Sequence, residues 1–390
     1  MQSLPPGAVL TKMPKNRIFI LLALVLPIVF IPTGCGSFRR PFFPVGIYGV
    51  SNTNDLAAVH AAGFNAIAGP ATKPLLDAAA RRGVKVLASP GTDAGVNFNA
   101  ARARQVVKAF DAHPALWAWY IVDEPDLNFV SPGEVRAAHR FLKNVPARKP
   151  TALVLFDGSD AADYGDITDI TMIDRYPIPW LPLANFPQHV RLTRSTVPKA
   201  KPVVAVLQAF DWTYYRELLP NEKEFRPPTY EELRCMTYAA LVERANGLFF
   251  YTFDGGGWKM AEHPETWNSL KQVVAEVRDR LPLFEAEHVW WPFLHRFTDP
   301  AQRYNRALSS SVAPSLVRVK RGNASVPPGD YFVVVNNTPQ AIEYELKLPV
   351  FVFQPVAVLG EARSIAANKR WLADHFEPYA VHIYGPLPRF

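Results

Sequence analysis

Short apolar runs recur along most of this chain about every thirty residues, each followed by a helix signal, and that recurrence restricts the fold more than any other feature. Val45-Gly-Ile-Tyr-Gly-Val50 reads as the first strand. A helix over about 54–62 stops at Gly63, and Phe64-Asn-Ala-Ile-Ala68 reads as the second strand. The grammar repeats with a helix over 72–82, a stop at Gly83 and a third strand at 84–89. A helix carrying Val106, Val107 and Phe110 closes at His113-Pro114, since the residue before a proline is pushed out of helical geometry. The fourth strand is then Trp117-Ala-Trp-Tyr-Ile-Val122.

Two capping boxes mark helix starts in the second half, Ser131-Pro-Gly-Glu134 and Thr229-Tyr-Glu-Glu232, the latter opening a helix to about Arg244. Strands five to eight are read at 151–156, 170–174, 202–207 and 247–252. Their continuous apolar character fits a parallel sheet covered on both faces. Eight βα units in about 240 residues predict a (β/α)8 TIM barrel over residues 41–284. After a last helix near 270–280 the pattern changes. Ile342-Glu-Tyr-Glu-Leu-Lys-Leu348, Val317–Lys320 and Val381–Tyr384 alternate strictly, which predicts a C-terminal antiparallel β-sandwich domain over 287–390.

At 390 residues, 49% apolar and 20% charged, the chain can bury one large core and a smaller one. The net charge of +7 is not gathered into a basic run interleaved with aromatics, so nucleic acid is not an expected partner. Lys12, Lys15 and Arg17 precede an apolar run from Ile18 to Pro32, and Thr33-Gly34-Cys35 follows. That order predicts an export signal over residues 1–35. The segment resembles a bacterial lipoprotein signal, with Pro32 where a leucine is usual. The resemblance implies lipidation of Cys35, a place in the bacterial cell envelope and a membrane anchor. The other cysteine, Cys235, stands among Leu233, Met236 and Ala239 and reads as a buried thiol.

Barrels of this kind build their sites at the C-terminal ends of the strands. Strand four runs directly into Asp123-Glu124-Pro125-Asp126, where proline ends the ladder. A charge closing so apolar a strand needs a partner or a cleft. The other strand ends supply Asp157 after five, Asp174 and Tyr176 after six, Gln208 after seven and Asp254 after eight, with Trp180, Trp212, Tyr251 and Trp258 close by. Carboxyls that move protons or attack an anomeric carbon, set among flat rings that stack on pyranose C–H faces, predict a carbohydrate substrate and no cofactor. Blander readings stand beside these: Asp123 capping a loop, Asp174 paired with Arg175, Asp254 as a turn residue, Trp117 and Trp119 in the core. The nine histidines are scattered, so no metal site is expected, and Gly255-Gly-Gly257 is a weak match to a phosphate cradle.

On these residues the barrel resembles the clan of retaining glycoside hydrolases that includes family 5 cellulases and family 42 β-galactosidases. There strand four ends in Asn-Glu, often Asn-Glu-Pro, and Asp123-Glu124-Pro125 matches it with aspartate for asparagine. The match implies that Glu124 is the acid/base and that Tyr176 is the aromatic after strand six. At the end of strand seven the clan has a nucleophilic glutamate, where this chain has Gln208, and an amide cannot form a glycosyl ester. Three accounts stay open. Asp174 or Asp254 serves as the second acid; or the Asp123-Glu124 pair works as in substrate-assisted hexosaminidases, where a 2-acetamido group attacks; or the protein binds carbohydrate at the cell surface without catalysis. The expected site is therefore Glu124, Asp123 and Asp174 for catalysis, with Tyr176, Trp180, Gln208, Trp212, Tyr251 and Asp254 for substrate.

Overall fold

The computed structural model describes residues 42–145 and 147–388. Eight parallel strands close into a barrel in sequence order: β1 (Val45–Ile47), β2 (Ala66–Ala68), β3 (Lys85–Ala88), β4 (Leu116–Val122), β5 (Thr151–Leu155), β6 (Ile170–Arg175), β7 (Val203–Gln208) and β8 (Leu248–Tyr251). The ring shuts where Gly46 of β1 pairs with Phe249 of β8. Alternate side chains point inward, so Ala68, Leu87, Ala118, Val154, Met172, Val206 and Phe249 fill the barrel. The same alternation aims the next inward residue of each strand at the C-terminal mouth.

The helices between and after the barrel strands include α1 (Thr53–Ala61), α2 (Lys73–Arg82), α3 (Ala100–Phe110), α4 (Pro132–Asn144), α5 (Ala161–Tyr164), α6 (Asn185–Thr196), α7 (Tyr230–Val242) and α8 (Pro264–Asp279). Both expected capping boxes form, and α2 ends on Gly83 with φ 70. Helices α6 and α8 differ from the sequence reading, and the four-residue α5 has no counterpart in it. The last helix starts at Pro264 rather than near 270, because proline suits a first helical turn. Between β6 and β7 lies α6, for which the sequence offers no start signal: Ala184 at its N-cap has no side chain to accept an amide.

Beyond residue 286 the strands are antiparallel. Glu287–His288, Val312–Val319, Gly329–Asn336 and Val381–Leu387 form one sheet, and His295–Phe297, Ile342–Lys347 and Trp371–Phe376 a second. Phe332, Tyr344, Leu346 and Phe376 pack between them. Val317, Tyr331, Val333 and Ile383 of the first sheet join the core outside the barrel, so the C-terminal region braces α7 and α8. Cys235 of α7 is buried in that seam, with Sγ 3.5 Å from the Asn336 carbonyl, and burial pushes its thiol far up. Arg234 and Arg280 hold Glu276 there, lowering its carboxyl pKa against the effect of burial. The export signal and Cys35 lie outside the described residues. Among the described residues no helix is long and apolar enough to cross a membrane.

Candidate active site

Three carboxyls meet at the barrel mouth. Asp123 and Glu124 leave β4, and Asp174 is the last inward side chain of β6. Asp174 is buried at 4% exposure; its Oδ2 accepts from the Tyr176 hydroxyl at 2.9 Å, and no standing donor satisfies its Oδ1. The Glu124 carboxyl is its hydrogen-bonding neighbour. Burial, then the charges of Glu124 and Asp123, drive the Asp174 pKa far up, so Asp174 keeps its proton and donates it toward Glu124. Glu124 is pushed up to about 7, first by burial and then by the charge of Asp123, while the hydrogen bond from Asp174 acts against both. Asp123 keeps an open face, and partial loss of hydration is the leading cause of its raised pKa. The Tyr120 hydroxyl donates to its Oδ1 and opposes the shift. Asp93, after β3, and Asp126 add negative potential. Among the described residues no lysine or arginine is a leading influence on these three groups.

Aromatic rings wall this acid cluster. Tyr48 at the end of β1 packs edge-on against Tyr120 at 6.1 Å and lies 5.8 Å from Tyr251 at the end of β8. Tyr176 stacks on Tyr251 at 5.6 Å and meets Trp212 at 6.1 Å, and Trp180 stands 5.9 Å beyond Trp212. The Tyr215 and Tyr251 hydroxyls are 2.9 Å apart. The β7–α7 loop reaches this position because Gly256 and Gly257, with φ 59 and 88, leave room for it. A Cβ on Gly257 would lie 2.6 Å from Tyr214, and one on Gly256 would strike the Tyr215 hydroxyl. These glycines, only a weak match to a phosphate cradle, seat tyrosines.

Two residues expected to bind substrate stand elsewhere. Gln208 is fully buried, and its amide is saturated by main chain: Oε1 accepts from the Ile178 amide at 2.9 Å, and Nε2 donates to the carbonyls of Ile178 and Phe210 at 2.8 and 3.1 Å. It pins the β6–α6 loop and presents nothing to a ligand. Asp254 lies in a hairpin beside Gly49, Ser51 and Gly69, in a recess over the ends of β1 and β2. Asp157 caps a short turn at Ser159, and Trp119 is buried with its indole donating to Asp111. Sequence reasoning missed Tyr48, Tyr120, Phe210, Tyr215 and Asp93. For Tyr48 and Tyr120 the signal was present, since both share the inward parity of their strands. Among the described residues no group of three His, Cys, Asp or Glu side chains is arranged to hold a metal ion.

The buried acid has a consequence for stability. An unfolded Asp174 ionises near its ordinary pKa of about 4, whereas the folded one holds its proton to much higher pH. Above that ordinary pKa the folded state binds more protons, so this group's contribution to stability falls as pH rises. Asp174→Asn keeps a donor toward Glu124 and an acceptor for Tyr176 without the charge. We expect its melting temperature to exceed wild type by about 2 °C or more at pH 7 and to match it near pH 4. Scanning calorimetry at the two pH values checks this, and a variant less stable at pH 7 would refute the protonated state.

The closed parallel barrel with its helices and C-terminal antiparallel sheets is a TIM-barrel architecture similar to that of solved glycoside hydrolase structures. A glycoside hydrolase family 5 structure from Bacteroides vulgatus is similar with a TM-score of 0.59 at 13% identity, over 88% of this chain and 88% of that one. The α-amylase of Geobacillus thermoleovorans, complexed with acarbose, gives 0.55 at 10% identity, over 87% and 97%. AmyP in complex with maltose gives 0.53 at 10% identity, over 87% and 96%. At such identities the likeness is one of fold. No family model matches the sequence, and no curated protein matches it by sequence.

Proposed function

We propose that this protein is a glycosidase acting on O-glycosidic bonds of oligo- or polysaccharides, with Glu124 as the general acid. The observation that carries the reading is a half-buried glutamate whose pKa is pushed up to about 7, at the mouth of a barrel ringed by tyrosines. An acid must hold its proton at working pH and release it to the leaving oxygen, and that pKa suits both demands. Asp123, when ionised, can stabilise an oxocarbenium-like transition state, whose charge is positive. Two similar structures are complexes with acarbose and maltose, which favours carbohydrate as the ligand class. The N-terminal basic, apolar and Cys35 segments support export and a lipid anchor at the cell envelope.

The second group is best assigned to Asp123. Asp174 is a hydrogen-bonding neighbour of Glu124, whereas two-carboxylate mechanisms need about 5 Å or more between their acids. Gln208 is closed off, and Asp254 occupies another recess. Asp123, open and steadied by Tyr120, can orient a 2-acetamido group or a water, which favours attack without a protein nucleophile. The test is hydrolysis of a panel of glycosides, 2-acetamido sugars included, by the wild type and Glu124→Gln. Cleavage that the variant lacks supports the reading. Glycan binding without cleavage would make the protein a surface binder.

A further inference from the structure

One edge of the second antiparallel sheet carries cations and exposed apolar side chains together. Its strands Ile342–Lys347 and Trp371–Phe376 pair Lys347 with Trp371, and the Lys347 amide donates to the Leu294 carbonyl at 2.9 Å, so three segments of chain meet here. The Trp371 ring carries Arg296 at 4.6 Å and Lys347 at 5.9 Å. Its neighbour Arg370 donates to the carbonyls of Leu348 and Pro349 at 2.8 and 2.6 Å and lies over the Phe351 ring at 5.6 Å. These contacts join Leu294, Lys347, Trp371, Arg370 and Phe351 into one continuous patch. Val352 packs against the core between the sheets and leaves Phe351 60% and Phe353 93% exposed on either side of it, with Leu294 at 52%.

Charge decides what such a patch fits. Arg296 is paired with Glu345, but among the described residues no carboxylate pairs with Lys347, Lys369 or Arg370, which leaves three positive charges around exposed hydrocarbon. A sugar stacks on an open ring face, whereas cations already lie over Trp371 and Phe351. An anionic bilayer answers both features, with phosphates for the cations and acyl chains for the rings. We propose that this edge of the C-terminal domain docks on an anionic phospholipid surface, inserting Phe351, Phe353 and Leu294 below the headgroups and setting Lys347, Lys369 and Arg370 among the phosphates. The path of the chain favours the same partner. Phe43 packs on Phe284 at 5.8 Å, three residues ahead of the first antiparallel sheet, so the chain enters the barrel beside the segment that leads into these sheets. Six residues separate Cys35 from Phe42, and a lipid on Cys35 would hold that entry within about 25 Å of the bilayer. The patch is a second membrane contact beside the proposed anchor, and it is independent of Glu124.

The test uses the chain from residue 36 onward, which contains the closed barrel and both antiparallel sheets but neither the N-terminal apolar run nor Cys35. It is sedimented with vesicles of phosphatidylcholine alone and of phosphatidylcholine mixed with phosphatidylglycerol. Binding is expected to the mixed vesicles and not to the neutral ones, and should weaken as salt rises. Lys347→Gln combined with Lys369→Gln should weaken it at least tenfold, and Phe353→Ser about tenfold. Circular dichroism melts check that each variant folds. A wild-type chain that stays off the mixed vesicles, or variants that bind them as tightly as wild type, would overturn the docking surface while leaving the anchor and Glu124 untouched. Equal binding to both kinds of vesicle would overturn the part given to the cations. Without vesicle binding, a dimer or retention on an insoluble polysaccharide that Phe353→Ser abolishes would give the patch to that partner and overturn the membrane reading.

Discussion

Replacing Glu124 with glutamine is expected to lower kcat at least a hundredfold, about 2.7 kcal/mol of transition-state stabilisation, without lowering the melting temperature. The glutamine fills the same half-buried place and can still accept from Asp174, but it has no proton to give the leaving oxygen. Stability should hold or rise, because the substitution removes a carboxyl whose ionisation is opposed by burial and by Asp123. In the wild type the protonated fraction of Glu124 falls as pH climbs through about 7, so activity should be lost on that alkaline limb. Rates on a responsive glycoside from pH 5 to 9 check the limb, and circular dichroism melts check the fold. Near-normal turnover in the variant, or a rate rising steadily through pH 7 to 9, would remove Glu124 from the acid's role.

The barrel was legible because its signals are local. Apolar runs, Gly63 and Gly83 as stops and two capping boxes each fix an element within a few residues, and eight such units leave few architectures. Helix α6 escaped because its start has no side-chain cap, and α8 was placed late because Pro264 was not counted as a first-turn residue. Within the site, Asp123, Glu124, Asp174, Tyr176 and Tyr251 come together because strand parity and the barrel's top edge are readable from sequence. What residue type could not convey is state. Asp174 and Glu124 are both carboxyls in the sequence; burial and mutual contact make one a retained proton and the other a group titrating near neutrality. Tyr48 and Tyr120 went unnamed although their inward parity is readable, because a strand's last inward residue faces the mouth only once the barrel is closed.

Gln208 is the sharpest case, because the sequence alone makes it look like a nucleophile changed by one atom. Restoring the glutamate should nonetheless fail. The Gln208 amide nitrogen donates to the buried carbonyls of Ile178 and Phe210, and its oxygen accepts from the Ile178 amide. In Gln208→Glu the ionised form would set a carboxylate against two carbonyl oxygens at a position with no exposed surface. The protonated form would satisfy one of them and orphan the other. Either state costs about 3 kcal/mol or more, the range for a buried charge or polar group left without its partner. Urea unfolding should therefore show a clear loss of stability, greatest at high pH, where the carboxyl is most strongly driven to ionise. No glycosyl ester should form at position 208, since a side chain with no exposed surface in the native state cannot reach an anomeric carbon. If Gln208→Glu instead folds as well as wild type and mass spectrometry finds a sugar covalently attached there, the strand-seven position is open to substrate. The reading in which Asp123 supports attack without a protein nucleophile would then give way to ordinary double displacement.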